Sequence, residues 1–309
     1  MLRRMAFLIG ATCLILLNLT AVPVSAQENV GSGEEEERRG FLTDPAVVDE
    51  IPTAEASDRL FPLWKSVAGD AALPLPWSVA FTAYYQNQDY DIVSAIVELP
   101  PLPPFVVDVS ETDANIDSKA VGIKGSVWLF PFLNVHAAVG QSTTDADIFL
   151  RGVPVGVIPP TGPGGAPQAI TGEKLLKLGF DGPYWNIGAT AVGGWRNWWS
   201  SLTLSYGVAE LDSTVSAFGT NDFTTERALL KFGYTFEGAN VWFGASWMDE
   251  EMKKVGRLDD GFGYDVLVTR ADWSPVFGAR VIIQGHWDQT VEGGFGDRIS
   301  ATLHLGYNF

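Results

Sequence analysis

The last eleven residues, ISATLHLGYNF, alternate between two kinds of side chain. Every second residue from Ile299 to Phe309 is apolar, and the residues between them are polar or glycine. A period of two is typical of a β-strand with one apolar face and one polar face. A protein core or lipid must cover the apolar face, so the pattern indicates either a packed β-sandwich or a β-barrel embedded in a membrane.

The same alternation recurs along the chain after Pro76, and no helical period of comparable strength interrupts it. One long segment contains Asp181-Gly182-Pro183, which we interpret as a bulge because proline cannot donate to a β-ladder. A hairpin turn at that point would instead give twelve strands. With the bulge, the pattern predicts ten strands: 77–89, 118–130, 132–143, 172–192, 198–210, 225–236, 241–250, 264–274, 276–289 and 297–309.

The connections between these strands fall into two classes that alternate along the chain. Tight turns are predicted at 130–132, 193–197, 236–240 and 274–276. Longer loops are predicted at 90–117, 143–171, 210–224, 250–263 and 290–297. Short turns on one rim and long loops on the other favour an all-β, transmembrane, antiparallel up-and-down barrel with periplasmic turns and extracellular loops. The Pro- and Gly-rich stretch 152–168 is expected to be a surface loop or a partial lid.

The segments before the barrel have a different composition. Residues 1–26 have a basic start, a short apolar run and a small-residue end, which indicates a secretory signal peptide containing the only cysteine, Cys13. Residues 27–75 read as an acidic periplasmic leader or a plug, and residues 76–309 as the barrel. The net charge of −17 argues against nucleic acid as a partner.

Aromatic residues cluster beside the predicted short turns, where their rings would lie at the membrane interface. They are Trp77, Phe130, Phe132, Trp195, Trp198, Phe236, Trp242, Trp273, Phe277 and Phe309.

The spacing Leu303-x-Leu305-x-Tyr307-x-Phe309 resembles the C-terminal signature of Gram-negative outer-membrane proteins. The resemblance implies export through the general secretory pathway and residence in the bacterial outer membrane. It also implies the barrel-assembly machinery, outer-membrane lipids and lipopolysaccharide as partners.

Charged residues assigned to the inward face are mostly basic: Lys124, Lys177, Lys231, Arg270, Arg280 and Arg298, with Asp272 and Asp288. A barrel of this size with a basic lumen predicts a narrow, anion-preferring pore or a small-solute transporter. If a turn centres on Pro275, Arg270 and Arg280 face each other and form a constriction with Asp272. The alternative is an interior whose charges simply pair with one another.

Two other functions remain open. One is a non-conducting surface adhesin or anchor that acts through its extracellular loops. The other is a hydrolase resembling the omptin proteases, which also have ten strands, with Asp89, Asp91, His286 and Asp288 at the outer mouth; the His/Asp order on the strand is reversed relative to that family. Nothing brings three ligands together for a metal, although His136 and His304 are assigned inward, and neither a catalytic site nor a cofactor is predicted.

The C-terminal pattern Leu303-x-Leu305-x-Tyr307-x-Phe309 gives a test of assembly. Removing Phe309, or replacing it with a charged residue, should impair insertion into the outer membrane without disturbing export. The measurement is the amount of heat-modifiable barrel in outer-membrane fractions, compared with the amount of exported chain. Normal amounts of barrel after either change would contradict the resemblance.

Overall fold

The computed structural model describes residues 60–68, 73–160, 165–214, 219–236, 239–283 and 286–309. The expected signal peptide, residues 1–26, and most of the leader lie outside the described residues. Among the described residues, no helix is long and apolar enough to cross a membrane.

The described chain is built almost entirely of β-strands, with single 3₁₀ turns at Lys65–Ala68 and Val109–Glu111. Its strands are β1 Trp77–Glu98, β2 Phe105–Val106, β3 Asp113–Phe130, β4 Leu133–Ile158, β5 Gln168–Trp195, β6 Trp198–Ser213, β7 Gly219–Phe236, β8 Ala239–Arg257, β9 Gly263–Ile283, β10 Trp287–Gly294 and β11 Arg298–Asn308. The short β2 pairs only with the outer end of β1. The other ten form an antiparallel ring that closes where β11 pairs with β1, from Ser78↔Asn308 to Gln88↔Arg298. The predicted ten-stranded up-and-down barrel is therefore confirmed.

The long strand β5 contains no hairpin, which excludes the twelve-stranded alternative. It also contains no bulge where one was predicted. Gly182 and Pro183 pair in register with Ser142 and Gln141 of β4, so the strand continues through them. The interpretation of Asp181-Gly182-Pro183 as a bulge was wrong.

The start of β1, the end of β11 and the tight connections lie at one end of the barrel, which we call the inner end. In outer-membrane barrels this end faces the periplasm. The opposite, outer end carries the other connections except the turn between β10 and β11, and most of these are shorter than predicted. The stretches expected to be loops at 90–117, 143–171, 210–224 and 250–263 are largely strand, because β1 and β3 to β9 extend far beyond their predicted limits.

The two faces of the wall exchange polarity part-way along each long strand. Outward residues of β4 change from apolar to polar: Leu133, Val135, Ala137 and Val139, then Gln141, Thr143, Asp145 and Asp147. Inward residues change the other way: Asn134 and His136, then Ala146, Ile148 and Leu150. Thus Val139 is 61% exposed on the outside, whereas Ile148 is fully buried inside. The sequence-based strands ended where this exchange begins, because only the apolar-outside half matches the membrane pattern.

The strands are much longer than a membrane requires. At about 3.3 Å per residue, the 26 residues of β4 extend about 86 Å along the strand. Tilted by about 40°, β4 would still rise about 65 Å, against an apolar band of about 25 Å. The inner half of the wall therefore spans the membrane, and the outer half projects beyond it as a barrel with a polar exterior.

The number of strands changes along the barrel axis. Strand β9 pairs with β10 over residues 276–283, but nearer the outer end it pairs with β1, from Asp91↔Thr269 to Glu98↔Gly263. The hairpin of β10 and β11 ends part-way up the wall. The ring therefore has ten strands at the inner end and eight at the outer end, and we call the point of change the fork.

Pro275 lies at the fork, and the turn predicted there was wrong. Its carbonyl accepts a hydrogen bond from the N–H of Phe295, which follows β10, at 3.1 Å. In an antiparallel strand the N–H and C=O of one residue point to the same side. The missing N–H of Pro275 therefore points into the fork, where β9 has no strand partner, and the strand continues through the proline.

Three aromatic residues expected beside short turns lie elsewhere. Trp273 and Phe277 are exposed but lie within β9, away from the turn after Ile283, and Trp273 stands opposite Trp247 of β8. Trp242 faces inward and is 7% exposed. The predictions for Trp273 and Phe277 failed because the turn at 274–276 does not exist.

The described part of the leader packs on the inner rim of the barrel. The N–H of Leu63 donates to the carbonyl of Leu129 at 2.7 Å. Phe61 contacts Trp77 edge to face, with 5.7 Å between ring centroids, and Trp64 packs against Phe130 at 4.7 Å.

The exchange of polarity along β4 can be tested by labelling. The only cysteine of the sequence, Cys13, lies in the predicted signal peptide, so an introduced cysteine would be the single thiol of the exported barrel. A membrane-impermeant maleimide on intact cells should label Asp147→Cys but not Val139→Cys, because lipid covers the second position. Equal labelling of the two outward positions would contradict the location of the membrane belt.

Candidate functional site

The structure divides the residues predicted to line a pore into three groups. Lys124, Lys231 and Arg280 line a cavity in the inner half of the barrel, together with Asp288. Arg270, Asp272 and Arg298 face inward at the level of the fork.

Lys177 lies on the outside of the wall, contrary to the prediction. Its side chain is 71% exposed and pairs with Asp147 of β4. The error has a physical cause: Leu176, Leu178 and Phe180 around it are buried inside the barrel. In the outer half the apolar side is the interior, so the assumption that apolar residues face lipid reverses the assignment.

The four residues predicted at the outer mouth do not come together. Asp89 and Asp91 are exposed on the exterior of the outer half. His286 and Asp288 lie at the inner end, where His286 Nδ1 is 2.9 Å from the carbonyl of Asn308. The arrangement on which the hydrolase alternative depended is therefore absent. Among the described residues, no group of three or more His, Cys, Asp or Glu could hold a metal ion.

A cavity of about 500 Å³ occupies the inner half of the barrel. It extends from Leu75, Trp128 and Asn308 at the inner end to Phe223 and Glu250 near the middle. Hydroxyl and amide side chains form much of its wall: Ser78, Thr82, Ser126, Asn134, Asn186, Thr190, Ser201, Thr203, Ser205 and Thr225.

Two buried carboxylates on β10 organise most of the charge in this cavity. Glu292 lies 2.5 Å from Lys231 Nζ and 3.2 Å from Arg227 Nη2, and it accepts a hydrogen bond from Trp242 Nε1 at 3.1 Å. These contacts hold the carboxylate between two cations on β7 and an indole on β8.

Asp288 makes a second set of contacts nearer the inner end. It pairs with Arg280 at 3.1 Å and lies 3.5 Å from His304 Nε2. It also accepts a hydrogen bond from the side-chain amide of Asn308 at 3.0 Å.

Large aromatic side chains lie along the cavity wall, over glycines on neighbouring strands. A Cβ at Gly233 would come within 2.2 Å of the ring of Trp199, and one at Gly278 within 2.4 Å of the ring of Trp242. Only glycine permits this close approach. The rings therefore lie against the wall, and the interior space of the ten-stranded half is retained.

A layer of charged and amide side chains closes the cavity at the level of the fork. Glu250 accepts hydrogen bonds from Gln86 Nε2 at 2.8 Å and Tyr90 Oη at 2.5 Å. Arg298, which is 1% exposed, pairs with Asp272 at 3.2 Å and donates to the carbonyl of Ser246 at 3.3 Å.

Arg270 fills the fork itself. Its guanidinium lies within 3.5 to 3.8 Å of Asp91 on β1, Asp272 on β9 and Asp297 in the turn between β10 and β11. It does not face Arg280, which is ten residues along the same strand and stands opposite Asn240. The predicted arginine constriction was wrong, because it depended on a turn at Pro275.

Above this layer the interior is packed and mostly apolar, and Lys254 and Asn221 are also fully buried there. The cluster consists of buried side chains from all the outer strands except β7, with Val107 and Phe262 from connections: Tyr90, Ile92, Ala95, Val97, Val107, Ala114, Ile116, Ala146, Ile148, Leu150, Val153, Leu176, Leu178, Phe180, Ala209, Leu211, Met252, Phe262, Tyr264, Val266 and Val268. We call it the outer core. An eight-stranded barrel has an interior just wide enough for side chains to fill. The outer core therefore blocks the lumen.

The loop between β8 and β9 covers the outer core. Phe262 is fully buried beneath it, and Lys174 Nζ lies 4.4 Å from the centre of that ring. Lys174 also pairs with Asp260 at 2.6 Å. This hydrogen bond from Lys174 holds the pKa of the Asp260 carboxyl below its usual range.

Several charged residues that face the interior were missed in the sequence, among them Arg227, Glu250, Glu292 and the fully buried Lys254, which fell in the predicted loop at 250–263. Arg227 has the same inward parity on its strand as Lys231, so the signal was present. Glu250 ended a predicted strand and was not assigned to the lumen. Glu292 fell in a predicted loop at 290–297, which is β10 and its turn in the structure.

Comparison with known proteins gives distant structural similarity only. No protein-family model matches the chain, and no curated protein matches it. The transport unit of the autotransporter AIDA-I from Escherichia coli is 10% identical, covering 76% of this chain and 90% of its own, with a TM-score of 0.40. The β domain of the Bordetella autotransporter BrkA is 13% identical, over 76% and 98%, with a TM-score of 0.36. The translocator domain of NalP from Neisseria meningitidis is 14% identical, over 83% and 96%, with a TM-score of 0.34.

The closed ring of strands and its apolar belt define the fold. The chain is a closed, antiparallel up-and-down β-barrel with an apolar belt around its inner half. Its outward residues Leu303, Leu305, Tyr307 and Phe309 share the lipid-facing side at the end of the last strand.

The charged layer should contribute strongly to stability. Asp272→Asn keeps the shape but removes the carboxylate shared by Arg298 and Arg270, and breaking a buried pair costs about 3–5 kcal/mol. The temperature of the heat-modifiable gel shift should therefore fall. The matched control is Asp147→Asn, which removes the exposed partner of Lys177 and should cost less than about 1 kcal/mol. Similar shifts for the two variants would contradict the role of the layer.

Proposed function

We propose that this protein is a closed, non-conducting outer-membrane barrel that displays its projecting outer half at the cell surface. The observation that carries the proposal is the outer core. Its members Ile116, Ile148 and Leu176 have no exposed surface, although they lie inside the barrel wall where a pore would need an opening. A water-filled path would have to displace these packed apolar side chains.

The exterior of the outer half supports a role in water rather than in lipid. Several outward carboxylates stand directly opposite one another on neighbouring strands: Asp117 and Asp145, Asp181 and Asp212, Glu210 and Asp222, and Glu226 and Asp249. Like charges at such positions destabilise a sheet unless solvent screens them. This surface therefore suits contact with the medium, as a structural or anchoring element and not as an enzyme.

A second candidate is the passage of small anions. The basic side chains of the inner cavity favour it, since a basic lining attracts anions. In this function the outer core would have to open, so the inner cavity would be a vestibule on the periplasmic side.

Conductance separates the two candidates. The purified full-length barrel, inserted into planar bilayers, should show no current above that of the lipid alone, while a general porin in the same bilayer conducts. Insertion is verified by the heat-modifiable gel shift of protein recovered from the membrane. Steady, anion-selective current from the wild-type chain would refute the closed barrel and establish the passage.

A further inference from the structure

Lys124 differs from the other cations of the inner cavity because it has no ion-pair partner among the described residues. Arg227 and Lys231 share Glu292, and Arg280 pairs with Asp288. Within the described residues, no carboxylate lies within ion-pair distance of Lys124, and the residues opposite it on β1 and β4 are Ala80 and Ala138. Its side chain nonetheless lines the cavity.

The surroundings of Lys124 are positive. It interacts electrostatically with Lys231, Arg227 and Arg280, and with one carboxylate, Asp288. Among the described residues, the inward charged lining comprises four cations, Lys124, Arg227, Lys231 and Arg280, and three carboxylates, Glu250, Asp288 and Glu292. Burying the charge of Lys124 without a carboxylate beside it is costly. A single negative charge from a bound molecule would balance it.

Neutral polar atoms around the same cavity also have no partners. Buried atoms without a hydrogen-bond partner in the described part of the chain include His136 Nδ1, Asn186 Oδ1, Trp199 Nε1, Thr225 Oγ1 and Asn240 Nδ2. Asn240 is only 1% exposed. Buried polar groups in proteins are normally hydrogen-bonded. These atoms are themselves out of reach of the cavity, but hydroxyl and amide side chains line it on several sides, and such a lining fits a molecule with several hydroxyl groups.

We propose that the inner cavity is a binding site for a small polyhydroxylated carboxylate, such as a sugar acid, with Lys124 as its carboxylate contact. The hydroxyl groups of the ligand would bond hydroxyl and amide side chains of the cavity wall, such as Thr82, Asn134 and Thr190, and the rings of Trp199 and Trp242 give it apolar walls. The volume of about 500 Å³ lies within the range of small-molecule sites. The lining reaches the inner end at Leu75 and Asn308, so the ligand enters from the periplasmic side.

The test uses isothermal titration calorimetry on the folded full-length barrel in detergent, with D-gluconate as the probe. Gluconate should bind at one site. D-glucose, which lacks the charge, and acetate, which lacks the hydroxyl groups, should each bind at least tenfold more weakly. Lys124→Met should weaken gluconate binding at least tenfold, and Lys124→Arg should restore most of it.

The matched control is Lys177→Met, which removes a lysine from the exterior and should leave gluconate binding unchanged. The heat-modifiable gel shift verifies that each variant is folded. Absence of gluconate binding to the wild-type barrel, equal binding of glucose, or unchanged binding to folded Lys124→Met would each overturn the site. The closed-barrel proposal is tested separately, since conductance of the wild-type chain would refute it whether or not gluconate binds.

Discussion

The change of partner by β9 is the constraint on which the rest of the structure depends. Below the fork β9 pairs with β10, and above it with β1. Pro275 permits the change because its missing N–H falls where no strand is present to accept from it. Arg270 secures the change, since its guanidinium lies near carboxylates of β1, β9 and the turn after β10.

The interior follows from the number of strands on each side of the fork. Eight strands leave room only for side chains, and the outer half is filled by the outer core. Ten strands enclose more space, and the inner half contains a cavity of about 500 Å³. The polarity of the outer surface follows from what surrounds each half of the barrel. The inner half meets lipid and is apolar outside, while the outer half meets water and carries its apolar residues inside.

The part of the barrel that closes the lumen is therefore separate from the part that contains the cavity. The outer core and the charged layer beneath it close the lumen, whereas the inner cavity retains polar walls and Lys124, a cation without an ion-pair partner in the part of the chain that the structure describes. The basic character predicted for a pore is thus present on one side of a closed barrel, where it suits the retention of an anion better than its passage. The two proposals, display at the surface and binding from the periplasm, are compatible because the layer containing Glu250 and Arg298 lies between the outer core and the inner cavity.

The sequence by itself determined the class of fold, the number of strands and the inward positions of Lys124, Lys231 and Arg280. Each follows from period-two alternation, which is a local property of the chain. It gave the wrong side for Lys177 and the wrong end for His286 and Asp288. The side was wrong for Lys177 because this residue lies in the outer half, where the apolar face points inward. The end was wrong for His286 and Asp288 because a turn had been assigned to Pro275. Only the tertiary structure decided these positions, because which strand lies beside β9 depends on closing the ring and is encoded in no single stretch of sequence.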